Sequence, residues 1–269
     1  MQLTIHSENN RSRNTTRFGI IILLIGLLAL LSFSPRSGSA QTDTIPLRVG
    51  VSGDFPPMVY KEAGQLAGIE VDFAKALGAE LNRPIKFVEV NWEDQIPALM
   101  EGRTDIIMSG LSITRARELR VAFAKSYLTA GQTALVRRED ANNYLLGFPV
   151  RPEGTIGVLK ATTGDFLVQQ EFSRSKRKEF KTGQDAAKAL VKKKIDLLIC
   201  DIPIAWWLAG MNESHGLSVV SVRLTEEQLA WAVRKSDGEF LASVNRAFDK
   251  LQKEGRISAI LKRWLPLAK

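Results

Sequence analysis

Hydrophobic and polar positions alternate in two distinct rhythms along the chain. Residues 45–51 (IPLRVGV) read as a strand. Residues 68–81 (GIEVDFAKALGAEL) place Val71, Ala74, Leu77, Gly78 and Leu81 on one face of a 3.6-residue period and predict a helix. A second strand is predicted at 86–90, a helix at 93–101 closed by Gly102, and a third strand at 105–109. This alternation of strands and helices predicts a parallel sheet with crossover helices. The rhythm then restarts. A strand is predicted at 155–159, helices at 165–172 and 185–193, and a buried-type strand at 195–200 (IDLLIC). Residues 217–222 and 228–233 read as strands, and 239–265 as two amphipathic helices split at Gly255. The series implies two α/β lobes of similar size.

The first 40 residues follow a different logic. Arg11, Arg13 and Arg17 precede an apolar run at 18–31, and Gly38 and Ala40 form a small-x-small exit. A basic region, an apolar core and small exit residues predict a secretory signal peptide over 1–40, cut near Ala40. The rival is an uncleaved membrane anchor, because the 18 uncharged residues between Arg17 and Arg36 reach the lower limit of a span. The chain has 37 basic and 29 acidic residues, and residues 1–40 hold four and one of them, so the remainder carries +5. That charge is spread out and forms no basic run interleaved with aromatics, which argues against nucleic acid as a partner. The single cysteine, Cys200, excludes an internal disulfide.

Ligands of open α/β sheets bind beyond the carboxyl ends of the strands, so the loops there hold the candidate chemistry. In SGLSITRAR (109–117), Gly110 permits a sharp turn with an open N–H. Thr114 is a good N-cap for the helix that follows, and Arg117 is able to grip a carboxylate with two parallel bonds. The stretch reads either as an anion cradle around Ser109, Gly110, Ser112 and Arg117 or as a capped helix with solvated arginines. Asp201, at the end of IDLLIC, is either a receiver for a cation or a helix N-cap. Phe55 and Trp92 are loop aromatics that either pack locally or face a ligand. Lys160, Thr162, Thr163 and Gly164 form a polar turn at a strand-to-helix junction. No cluster has metal-ligand spacing, no nucleophile–base arrangement has support, and no phosphate loop is present, so neither catalytic residues nor a metal or cofactor are expected.

Several stretches together resemble one family. They are FPPMVYKEAGQLAGIEVDFAKAL, NWEDQIPALMEGRTDIIMSGLSITRARELRVAFAKSY, IGVLKATTG, IDLLICD and EGRISAILKRW. With these, the chain is similar to bacterial periplasmic solute-binding proteins of the polar amino-acid type, the receptors of ABC importers. The resemblance implies a type II periplasmic-binding-protein-like fold with two α/β lobes joined by two crossing hinge segments. The first crossing falls near 130–134 and the second near 229–233. Lobe one is then 41–132 plus 230–269, and lobe two is 133–229.

The resemblance also implies site roles. Phe55 and Trp92 flank the ligand side chain. Ser109, Gly110 and Ser112 meet the α-carboxylate and α-ammonium. Arg117 binds the carboxylate, Thr163 adds a bond to it, and Asp201 pairs with the ammonium. The partners implied are a small-molecule amino acid and a membrane permease, in the periplasm. One departure bears on the ligand. Relatives that take cationic side chains carry an aspartate three residues before the first aromatic, and this chain has Ser52 there. A neutral or acidic polar amino acid is therefore expected, with Lys160 favouring an amide or acidic side chain. Two alternatives share the architecture: a sensor or adaptor ectodomain held by an uncleaved N-terminal helix, and an exported cyclohexadienyl or arogenate dehydratase-like enzyme.

Overall fold

The computed structural model describes residues 45–144 and 154–265, so the expected signal peptide lies outside the described residues. Two five-stranded sheets organise the chain. In the first, Ile85–Glu89, Leu47–Val51 and Ile106–Ile107 run parallel, and Ala232–Arg234 and Val121–Phe123 join antiparallel. In the second, Lys176–Phe180, Thr155–Leu159 and Leu197–Asp201 run parallel, and Gln132–Arg137 and Leu217–Val219 join antiparallel. The strands expected around 45–51, 86–90 and 105–109, and those around 155–159 and 195–200, do pair in parallel, and each sheet gains antiparallel members besides. The antiparallel members come from the segments on either side of the two passages between sheets, where the chain re-enters from the opposite direction.

Those passages pair with each other. Leu128–Ala130 and Glu227–Leu229 form an antiparallel two-stranded ribbon, with Leu128 opposite Leu229. The strand expected at 228–233 is therefore two short strands, Glu227–Leu229 in the ribbon and Ala232–Arg234 in the first sheet. Two further groups of strands have no counterpart in the sequence reading. One is a three-stranded meander, Asp54–Phe55, Val59–Glu62 and Gln65–Ala67, and the other is the run of strands between 121 and 137. Lys176–Phe180 (KRKEF) is nearly all exposed and charged, as suits an edge strand.

The helices form where capping and periodicity agree. Thr162 and Thr182 accept from Asp165 N and Asp185 N and so start the helices Thr163–Glu171 and Gly183–Val191. The helix Ile69–Glu80 has no side-chain cap; instead the carbonyls of Pro57 and Met58 accept from Ile69 N and Glu70 N at 3.0 and 2.9 Å. At the C-terminal end, Gly238–Lys253 and Arg256–Trp264 are split at Gly255, and both return to pack on the first sheet's core through Phe248, Leu251 and Ile257.

That core centres on the fully buried Trp231. Its ring meets Phe73 and Phe248 edge-on at 5.7 Å each, and Tyr127 at 6.1 Å. Because Trp231 immediately follows the ribbon, the second passage is anchored in the core of the first lobe.

Gly131 fixes the approach of the two passages. Its φ is +154°, and a Cβ built there would lie 1.9 Å from the carbonyl oxygen of Thr225. Gly131→Ala is therefore expected to lower stability by at least about 2 kcal/mol. Urea unfolding checks this; a loss below about 0.5 kcal/mol would show that the two passages are not locked together.

Candidate functional site

The eight residues singled out from the sequence line one small cavity between the two sheets: Phe55, Trp92, Ser109, Gly110, Ser112, Arg117, Thr163 and Asp201. The inner cavity measures about 10 Å³, and a wider chamber of about 500 Å³ adjoins it at Phe55 and Trp92. The inner volume holds about one water molecule, so an amino acid enters only if the walls move apart.

Backbone pairing holds the loop in place. Ile113 N donates to Gln228 O at 2.8 Å and Ala230 N to Leu111 O at 3.1 Å, so residues 111–113 lie against the second passage. Gly110 adopts φ 72°, as a sharp turn requires. Its N–H is not open, however, because it donates to Glu70 Oε1 at 2.6 Å. The hydroxyl of Ser109 faces inward, accepting from Ser52 N at 3.1 Å. Thr114 caps the short helix Arg115–Glu118, accepting from Arg117 N at 3.3 Å. The capping reading and the cradle reading therefore coexist: the cap orients Arg117 into the cleft.

Arg117 is half-buried. Its Nη1 donates to Ser112 O at 2.8 Å, and its guanidinium lies 5.5 Å from the centre of the Trp92 ring. Burial lowers its pKa, and the charges of Asp201 and Glu227 oppose that shift. Asp201 stands at the N-cap position of Ile202–Met211, yet its side chain makes no capping bond. Burial, and secondarily the neighbouring Glu227, push its carboxyl up to about 7, against the lowering effects of its own backbone, Gln132 and Arg117. Among the described residues, neither Arg117 nor Asp201 forms an ion pair. Two opposite charges thus share one small cavity with only neutral hydrogen-bond partners, an arrangement that costs free energy until something neutralises both.

Phe55 and Trp92 stack on each other with centroids 4.9 Å apart, and Phe55 packs into the core of the second lobe. At that separation no ligand group fits between the rings, so they form one wall rather than two flanking faces. Trp92 Nε1 also donates to Ala161 O at 3.0 Å across the cleft. Lys160 pairs with Glu93 at 2.7 Å, again across the cleft, and is not free to meet an acidic ligand side chain.

Three polar residues at the site were not singled out from the sequence. Glu70 is fully buried; Tyr127 OH, Gly110 N and Trp231 Nε1 donate to it at 2.6, 2.6 and 3.1 Å. Burial nevertheless pushes its carboxyl up to about 7. Gln132 Nε2 donates to Thr163 Oγ1 at 3.0 Å. Glu227 accepts from Ser112 Oγ, Thr163 Oγ1 and Thr225 Oγ1 at 2.7, 2.8 and 2.7 Å. Periodicity carried two of these signals. Glu70 shares its helical face with Ala74, Leu77 and Leu81, and Glu227 shares the inward side of an extended segment with Leu229 and Trp231. Among the described residues, no group of three or more potential ligands is arranged to hold a metal ion.

Comparisons with known proteins bear on the family and the fold. The L-arginine-binding protein of Pseudomonas aeruginosa is 29% identical over 248 residues, covering 89% of this chain and 94% of the relative. The glutamine-binding protein GlnH of a Bacillus subtilis ABC transporter is 25% identical, covering 76% and 74%. Among solved structures, an ancestral amino acid-binding protein described as a precursor of cyclohexadienyl dehydratase superposes with a TM-score of 0.74. It is 33% identical and covers 81% of this chain and 94% of that one. The family model for bacterial extracellular solute-binding proteins, family 3, matches residues 47–267. The chain belongs to that family of extracellular solute-binding proteins.

Proposed function

We propose that the protein captures a polar amino acid in the cleft, closes on it, and presents the closed form to the permease of an ABC importer. The observation that carries this reading is the pair of opposite charges, Arg117 and Asp201, that line one small cavity with no ion-pair partner among the described residues. Arg117 extends from the first lobe and Asp201 ends a strand of the second. A zwitterion that bridges them ties the lobes together, so closure depends on ligand. The relatives named above, an L-arginine-binding and a glutamine-binding protein, support the class. We assign a neutral polar side chain to the ligand. The outer chamber balances four carboxylates with four basic side chains, and the Lys160–Glu93 pair removes the cation that would favour an acidic one.

The reported relatives are binding proteins. The enzymatic alternative rests on the Asp201 carboxyl, whose value of about 7 suits a proton donor. An exported, cleaved protein fits the family, and among the described residues no helix is long and apolar enough to cross a membrane. N-terminal sequencing of the secreted protein separates cleavage near Ala40 from a retained anchor.

A thermal-shift screen with the amino acids and prephenate tests the reading. Ligand at 100 times its Kd is expected to add about 2.7 kcal/mol, which raises Tm by roughly 5–10 °C. Arg117→Ala and Asp201→Asn are each expected to remove the shift. A shift and turnover with prephenate alone would favour the dehydratase instead.

Binding is also expected to depend on pH. The ammonium needs an ionised Asp201, and the carboxyl is raised to about 7. Affinity is therefore full above that pH and falls as pH drops through it, approaching about tenfold per unit. Calorimetric titration between pH 5.5 and 8.5 measures this; a flat profile would mean that Asp201 does not hold the ammonium.

A further inference from the structure

We propose that Glu227 is an internal competitor for the ligand's carboxylate, a latch that holds the unliganded cleft shut and sets the affinity of the site. This rests on the amino-acid reading above. Three hydroxyls reach Glu227: Ser112 from the first lobe and Thr163 from the second both donate to Oε2, and Thr225 donates to Oε1. Glu227 itself sits on the ribbon between the lobes. One carboxylate therefore ties lobe to lobe, as a bound ligand would.

The count of protons makes the competition strict. A hydroxyl has one hydrogen to donate. Those of Ser112 and Thr163 are spent on Glu227, and Thr163 Oγ1 in turn accepts from Gln132 Nε2. An incoming carboxylate gains these donors only when Glu227 releases them. Two carboxylates on the same two hydroxyls would also repel each other, and among the described residues Arg117 is the one basic side chain lining the inner cavity. Backbone pairing of residues 111–113 with the second passage fixes Ser112 beside Glu227, so the contact is built into the fold.

The latch also accounts for the dimensions of the site. With Glu227 bound to both lobes, the inner cavity is about 10 Å³. A ligand that displaces it inherits the same two hydroxyls and adds Arg117. Exchange of one carboxylate for another lets the site release its cargo without leaving buried donors unpaired.

Two measurements on Glu227→Ala and Glu227→Gln test the proposal. Small-angle scattering of the unliganded proteins is expected to show a larger radius of gyration for both variants than for the parent. Calorimetry with the amino acids is expected to show binding about tenfold tighter in the variants, because the hydroxyls are already free. Superimposable scattering curves overturn the latch. Binding that is unchanged or weaker overturns the competition and would make Glu227 part of the ligand's own contacts. If no amino acid binds parent or variants, the amino-acid reading fails, and the scattering result alone decides the latch.

Discussion

A guanidinium and a carboxylate withdrawn from water without ion-pair partners constrain everything around them. Arg117 and Asp201 are costly where they stand, since removing charge from solvent is repaid only by good geometry with an opposite partner. The fold spends its local order on keeping them there. Thr114 caps the short helix that carries Arg117, and the end of a buried parallel strand delivers Asp201. Arg117 keeps one bond to Ser112 O and Asp201 leaves its helix uncapped, so neither charge is neutralised by the fold. A site of this kind gains most from a ligand that carries both charges.

Coupling between that site and the passages joining the lobes runs through two glutamates, one fully buried and one half-buried. Glu70 binds the ligand loop at Gly110, the first passage's neighbour Tyr127, and the second passage's Trp231. Its three donors come from three separate segments, so a shift in any one disturbs the others. Glu227 lies on the ribbon and reaches residues of both lobes. Tightly packed passages, as at Gly131 against Thr225, leave rotation about the ribbon as the movement that opens the cleft without breaking either core.

Much of this was legible in the sequence, for definite reasons. The strand at 155–159 is almost wholly apolar and that at 47–51 is interrupted only by Arg48, as suits parallel strands covered on both faces. Asp201 and Arg117 stood out because charge beside an apolar strand end or a capped loop has few structural uses. Between 121 and 137, Val121–Phe123 and Leu128–Ala130 were missed because they are short, and Gln132–Arg137 because it is buried without alternation; their pairing is set by partners far along the chain. The antiparallel members of each sheet were not legible for the same reason, since the return of the chain through the ribbon is a property of topology rather than of local pattern. Glu70 was passed over because a glutamate early in a helix looks like a favourable dipole contact, and here it is buried in the core instead. Phe55 and Trp92 were located, but their stacking is a tertiary contact between residues far apart in the chain, which no local pattern encodes.

The central claim is that the site recognises a zwitterion through Arg117 and Asp201 together. Calorimetry with the amino acid giving the largest thermal shift, its decarboxylated amine and its deaminated acid tests this most directly. Each analogue leaves one buried charge uncompensated, so the account predicts that both bind at least about 100-fold more weakly than the parent amino acid. An amine or an acid that binds as tightly as the amino acid would contradict it, because only one of the two charges would then be engaged.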